Sequence, residues 1–185
     1  MSTIDLNERL LTGERILWSG RPGQGLLLTG RDALLIPFSL MWGGFAIFWE
    51  ATALTQPNTQ PFFGLWGIPF VLIALYLVAG RFLLDAWIRG GMVYAVTNRR
   101  ILISRSGPFG KLTALSLDRL PDASISESAG GRGTIRFGEP VPFWGGRNSI
   151  SSWTPSLDPT PQFIAIENAR SVFDQIQLAT RGGDL

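Results

Sequence analysis

The stretch Phe62-Phe-Gly-Leu-Trp-Gly-Ile-Pro-Phe-Val-Leu-Ile-Ala-Leu-Tyr-Leu-Val-Ala-Gly80 carries no charged side chain and is apolar all round. A buried helix of a soluble bundle normally keeps a polar stripe at helical spacing, and none is present. About 20 apolar residues rising 1.5 Å each cover the roughly 30 Å hydrocarbon core of a bilayer. The stretch therefore predicts a transmembrane helix over about 62–84. Working outward, Ala33 to Trp49, continued by Glu50-Ala-Thr-Ala-Leu54, predicts a first span over about 33–54. It starts after a polar leader of residues 1–31 and lacks the small-residue exit of a cleaved signal peptide. The hairpin is thus expected to occupy residues 32–89.

Local chemistry fits spans. Pro37 and Pro69 are tolerated in membrane helices, where neighbouring groups satisfy the freed carbonyl. Gly43, Gly44, Gly64 and Gly67 allow close approach of two backbones. Trp49, Phe62, Phe63 and Trp66 flank the short link and suit an aromatic belt, with Trp87 at the opposite interface. The link Thr55-Gln-Pro-Asn-Thr-Gln-Pro61 contains no lysine or arginine. Arg9, Arg15, Arg21 and Arg31 precede the first span, and Arg81, Arg89, Arg99 and Arg100 follow the second. The positive-inside rule then predicts an integral protein of the cell (inner) membrane with both termini cytoplasmic.

Composition sets the limits on chemistry. Of 185 residues only 16% are charged, against about 25% in soluble domains. Cysteine and histidine are both absent. That excludes disulfides, Ser-His-Asp and Cys-His triads, and the usual zinc ligand sets. The net charge of +2 comes from scattered singles and pairs, so no nucleic-acid partner is expected.

From Met92 the period changes. Tyr94 and Val96, then Ile101 and Ile103, alternate on either side of Thr97-Asn-Arg-Arg100, predicting two strands joined by a tight turn. Further strands are expected over 112–117, 123–127, 133–137 and 163–166, with 140–161 mostly loop. Ala169, Val172, Phe173, Ile176 and Ala179 mark a closing amphipathic helix, with Asn168 as N-cap and Gly182-Gly183 ending it. The fold class expected is α+β: a two-helix transmembrane hairpin plus a small β-barrel or sandwich over 90–185, capped by the C-terminal helix.

Tyr94-Ala-Val-Thr-Asn-Arg-Arg-Ile-Leu-Ile103, Gly133-Thr-Ile-Arg-Phe-Gly138 and the closing helix resemble the bacterial pleckstrin-homology-like (PH-like) domain. The leader Gly13-Glu-Arg-Ile-Leu-Trp-Ser-Gly-Arg-Pro22 is similar to the segment before the membrane hairpin in PH-domain membrane proteins. The resemblance implies a split arrangement in which residues 14–19 return as a strand of the β domain. It implies no enzymatic activity.

Arg89, Arg99 and Arg100 are the candidate binding residues, for a protein partner or for anionic lipid headgroups, which attract each nearby arginine by about 1 kcal/mol. A solvated turn with ordinary topology-setting arginines is the plainer explanation. Glu50, one turn from the outer end of the first span, suggests a transport path or merely an acid near the interface. Gly130-Gly-Arg-Gly133 leads into a strand and lacks the Lys-Ser/Thr of a phosphate loop. Asp118, Asp122 and Glu127 occupy turns and strand edges. Trp144 and Trp153 are read as covering the small core. No catalytic residue, metal site or cofactor is assigned. The expectation is a non-enzymatic membrane module that engages the bilayer and a protein partner or a second copy of itself.

Overall fold

The computed structural model describes residues 6–56, 61–127, 131–139 and 154–182. The chain divides into two compact units, residues 26–84 and residues 1–25 with 85–185.

In the first unit, α1 (Asp32–Thr55) and α2 (Pro61–Leu75) pack as an antiparallel hairpin. A π-helical turn, Tyr76–Gly80, joins α2 to α3 (Arg81–Gly90) without a break in the helix. Among the described residues two helices, Asp32–Thr55 and Leu65–Gly90, are long and apolar enough to cross a membrane. Asp32, Leu35, Ser39, Gly43 and Ala46 form the inner stripe of α1, at the 3–4 spacing of one helix face. Gly67 and Ala74 lie opposite. A Cβ at Gly43 would stand 3.5 Å from that of Ala74, the close approach small residues permit. Gly44, by contrast, faces open space. The outer faces carry Leu34, Met41, Phe45, Phe48, Leu65, Leu72 and many other exposed large apolar side chains.

The second unit is built on two antiparallel sheets. Strand β1 (Ile16–Gly20) precedes the hairpin in sequence and pairs with β2 (Met92–Thr97), which follows it. Strands β3 (Arg100–Arg105) and β4 (Lys111–Ser116) extend this sheet in the order β1-β2-β3-β4. Strands β5 (Ala123–Glu127), β6 (Arg132–Phe137) and β7 (Gln162–Glu167) form the other sheet. The final helix α4 (Ala169–Gly182) packs on β5 and β6 and buries Ala169, Val172 and Ile176. The sheets do not close into a barrel: each keeps its own edges, and among the described residues no strand pairing joins them.

Aromatic side chains join the two sheets. Phe163 of β7 stacks on Tyr94 of β2 at 4.7 Å between ring centroids, with Trp18 at 5.5 Å and Phe137 edge-on at 5.3 Å. Tyr94, Val96, Ile101, Ile135, Phe137, Phe163 and Ile166 are fully buried. The opposite face of the first sheet is covered as well, because Leu6, Leu10 and Ile16 pack on Ala95 and Leu102. Asn168, expected as the N-cap, stands immediately before α4 with a left-handed φ of 51°. Asparagine tolerates that region better than most residues, and its carbonyl accepts the Val172 N–H.

Candidate functional site

The turn after β2 is held by its own threonine. Thr97 Oγ1 accepts the backbone N–H groups of Arg99 (3.2 Å) and Arg100 (2.9 Å) and lies 2.7 Å from Glu14 Oε1. Glu14 is a buried carboxylate brought in by the leader. Arg100 grips it with two parallel bonds, Nε to Oε1 and Nη2 to Oε2, both 2.9 Å. The Leu11 N–H donates to Oε2 at 2.7 Å. Burial pushes the Glu14 carboxyl up, but the bonds from Arg100, Leu11 and Thr97 outweigh it and bring it down to about 2. Arg100 Nη2 also reaches the Arg9 carbonyl, and Asn98 exchanges two bonds with the backbone of Arg15. Three residues of Thr97-Asn-Arg-Arg100 thus bind the leader. Arg99 is exposed, as is Asn98 despite its bonds to Arg15.

A second cluster gathers where α3 hands the chain to β2. Arg89 is 1% exposed. Its Nε donates to Asp85 Oδ2 at 2.7 Å, one helical turn back, its Nη1 to the Gly23 carbonyl and its Nη2 to the Gly25 carbonyl at 2.6 Å. Asp85 Oδ1 accepts the Ser156 N–H at 2.9 Å, and Arg105 Nη1 donates to the Ser156 carbonyl at 2.7 Å. Burial lowers the Arg105 guanidinium from its ordinary value and pushes the Tyr94 phenol up. Gly23 N–H bonds to the carbonyl of Ala165, which sits at φ 48° in β7, and a Cβ at Gly23 would lie 2.7 Å from that oxygen. Glycine is required there by close approach.

The helical hairpin holds polar groups of its own. Asp32 Oδ1 meets Arg81 Nη1 at 2.6 Å, and its Oδ2 accepts the N–H and Oγ1 of Thr29. The N–H of Arg81 bonds to the Tyr76 carbonyl across the π turn, and its Nε donates to the Leu77 carbonyl that the wider turn passes over. Nearer the other end, the Glu50 carboxylate lies against Gly67, in the space a side chain at 67 would fill. Glu50 Oε2 is buried without a hydrogen-bond partner, as are Trp42 Nε1, Tyr76 Oη and Arg81 Nη2.

The three arginines singled out in the sequence are therefore not one surface. Arg89 lies inside the domain with every branch of its guanidinium engaged. Arg99 and Arg100 stand at the far end of β2, a six-residue strand about 20 Å long. Gly133 is a strand residue paired with Ile166, and Gly130 lies outside the described residues, as do Trp144 and Trp153. Asp118 lies in a helical turn, and Glu127 ends β5. Among the described residues, no three His, Cys, Asp or Glu side chains come together as metal ligands. Sequence reading missed Glu14, Asp85 and Asp32. The i,i+4 spacing of Asp85 and Arg89 is the one local signal that pointed to a pair.

No family model matches the chain, and no curated protein or solved structure matches it.

Proposed function

We propose that this is an integral membrane protein whose two apolar helices span the bilayer as a hairpin. In this reading the two-sheet unit is a PH-like, non-enzymatic interaction domain in the cytoplasm, offered to a protein partner or a second copy. One observation carries it: large apolar side chains cover the outward faces of the hairpin, while Asp32, Ser39 and Arg81 are buried. Water would penalise that arrangement, since exposed apolar patches beyond a few hundred Å² mark an interaction surface or a membrane. Hydrocarbon favours it, and a buried Asp32–Arg81 pair suits the place where a helix meets the interface.

The interaction role rests on how the polar side chains are used. Glu14, Asp85, Arg89 and Arg100 are consumed in holding the leader and α3 to the sheets. Lipid sensing by Arg89, Arg99 and Arg100 together is not favoured, because Arg89 is sealed and the other two lie a strand's length away.

Single-cysteine labelling tests the reading, since the chain has no cysteine of its own. With a membrane-impermeant reagent on intact cells, Thr55→Cys should label and Asp118→Cys should not. Labelling at Asp118→Cys alone would invert the topology. Recovery of the protein in the soluble fraction would end the membrane reading.

A further inference from the structure

We infer that β4 is a self-association edge, where two copies of the chain pair their β4 strands antiparallel about a two-fold axis at Thr113 and join their first sheets into one. The inference rests on the reading of the two-sheet unit as an interaction domain. It names the partner as a second copy and places the contact wholly within that unit.

An edge strand presents a row of unpaired N–H and C=O groups, which proteins normally blunt with bulges, charges, short strands or a covering element. Each sheet has two edges, and β4 alone lacks such devices. Strand β1 bulges between Ile16 and Trp18, and the chain leaving it bonds from the Gly23 N–H to the Ala165 carbonyl of β7. Strand β7 is irregular in turn, with Ala165 at φ 48° and a slip of register against β6. Strand β5 has five residues, ends in Glu127 and lies under α4. Strand β4 runs six residues in unbroken register with β3, from Arg105 opposite Lys111 to Arg100 opposite Ser116. It contains no proline, its one charge stands at its first position, and among the described residues nothing pairs with its outer side.

The strand's own side chains say which strand fits there. Thr113 and Leu115 oppose Ile103 and Ile101, on the face that Tyr94 turns toward the other sheet. Leu112 and Ala114 lie on the opposite face, Ala114 across from Leu102, which the leader covers. A two-fold axis perpendicular to the sheet keeps each face on its own side, so a residue can only oppose one of its own face. With Thr113 on the axis, Leu112 meets the partner's Ala114, and the symmetry repeats that contact. Leu112, 41% exposed, is then covered by a small side chain. The apolar row Ala95, Leu102, Ala114 across β2, β3 and β4 continues into the partner. Thr113 meets its own copy, a favourable cross-strand pair, and Lys111 meets Leu115, so no like charges stand opposed. An axis at Ala114 would set Leu112 against Ser116 and lose the apolar match.

The test uses the full chain in detergent micelles, with single cysteines added to a sequence that has none. Directly opposed residues have Cβ atoms about 4.5–5.5 Å apart, so Thr113→Cys should give a disulfide-linked dimer under mild oxidation. Ser116→Cys stands three residues from the axis, about 20 Å from its own copy, and should not. Adding Leu112→Lys should cut the Thr113→Cys dimer severalfold. Amide exchange over 112–116 should slow as the ratio of protein to detergent rises. Equal cross-linking at 113 and 116, or cross-linking at 113 indifferent to Leu112→Lys, marks random collision and overturns the β4 pairing. A dimer that never links through position 113 overturns it too, and leaves self-association through another surface. A monomer at every ratio overturns the pairing together with the second-copy arm of the interaction role, leaving a different protein as the partner. A position-113 dimer recovered from the soluble fraction without detergent would uphold the pairing and overturn the membrane reading.

Discussion

Asp32 and Arg81, 49 positions apart in sequence, meet at 2.6 Å with both side chains almost wholly buried, Arg81 being 2% exposed. The pair sits at the first residue of α1 and the first of α3, so it sets the register of the hairpin. Removing one member of a buried pair strands the other charge, at about 3–5 kcal/mol, whereas replacing both with apolar residues is often neutral. Asp32→Ala should therefore lower the midpoint of thermal unfolding in detergent micelles, and Asp32→Leu with Arg81→Met should restore most of it. Equal losses in the single and double variants would show that the pair does not act as a unit.

Glu14 makes the domain acid-sensitive in a defined window. Its carboxyl falls from 4.5 to about 2 on folding. A depressed acid contributes stability that is fully present above the unfolded value and disappears as pH falls through the folded one. The contribution is on the order of 3 kcal/mol, lost between about pH 4.5 and 2. Glu14→Gln should lower stability at pH 7 and flatten the slope across that window, as read by denaturant unfolding at stepped pH.

Arg89 and Arg99 should behave oppositely despite their similar appearance in sequence. Arg89→Leu leaves Asp85 uncompensated and frees the Gly23 and Gly25 carbonyls, a loss of about 3–5 kcal/mol. Amide hydrogen exchange at Gly23 should accelerate in that variant. Arg99→Ala touches an exposed side chain and should change stability by no more than about 0.5 kcal/mol. A stable Arg89→Leu protein with protected Gly23 would contradict the role assigned to the guanidinium.

Gly67→Ala places a methyl where the Glu50 carboxylate lies. Overpacking of this kind costs about 1–3 kcal/mol. Combining it with Glu50→Ala should relieve most of the loss, since the obstructing group is then gone. Unfolding of the reconstituted hairpin in mixed micelles measures both.

The strands and the two long apolar helices were legible because their signals are local. Tyr94 and Val96 alternate along one strand, and 62–80 is apolar without interruption. The polar clusters were not legible, and the reason is separation. Arg89 looks like a topology-setting charge because its carbonyl acceptors at Gly23 and Gly25 lie 66 and 64 residues away. Thr97-Asn-Arg-Arg100 looks basic and exposed because Glu14, which neutralises Arg100, lies 86 positions earlier. The choice between a barrel and a sandwich was open for a different cause: alternation reports which faces are buried but says nothing about whether edge strands meet.

Strand β1 is made before the hairpin and β2 after it, which imposes an order on biogenesis. The ribosome releases Ile16–Gly20 long before its partner exists, so the first sheet stays one strand short until both apolar helices have been synthesised. If only one span inserted, β1 and β2 would be on opposite sides of the bilayer, and the edge of β2 would remain unpaired. If the helices do cross a bilayer, completing the sheet requires an even number of crossings.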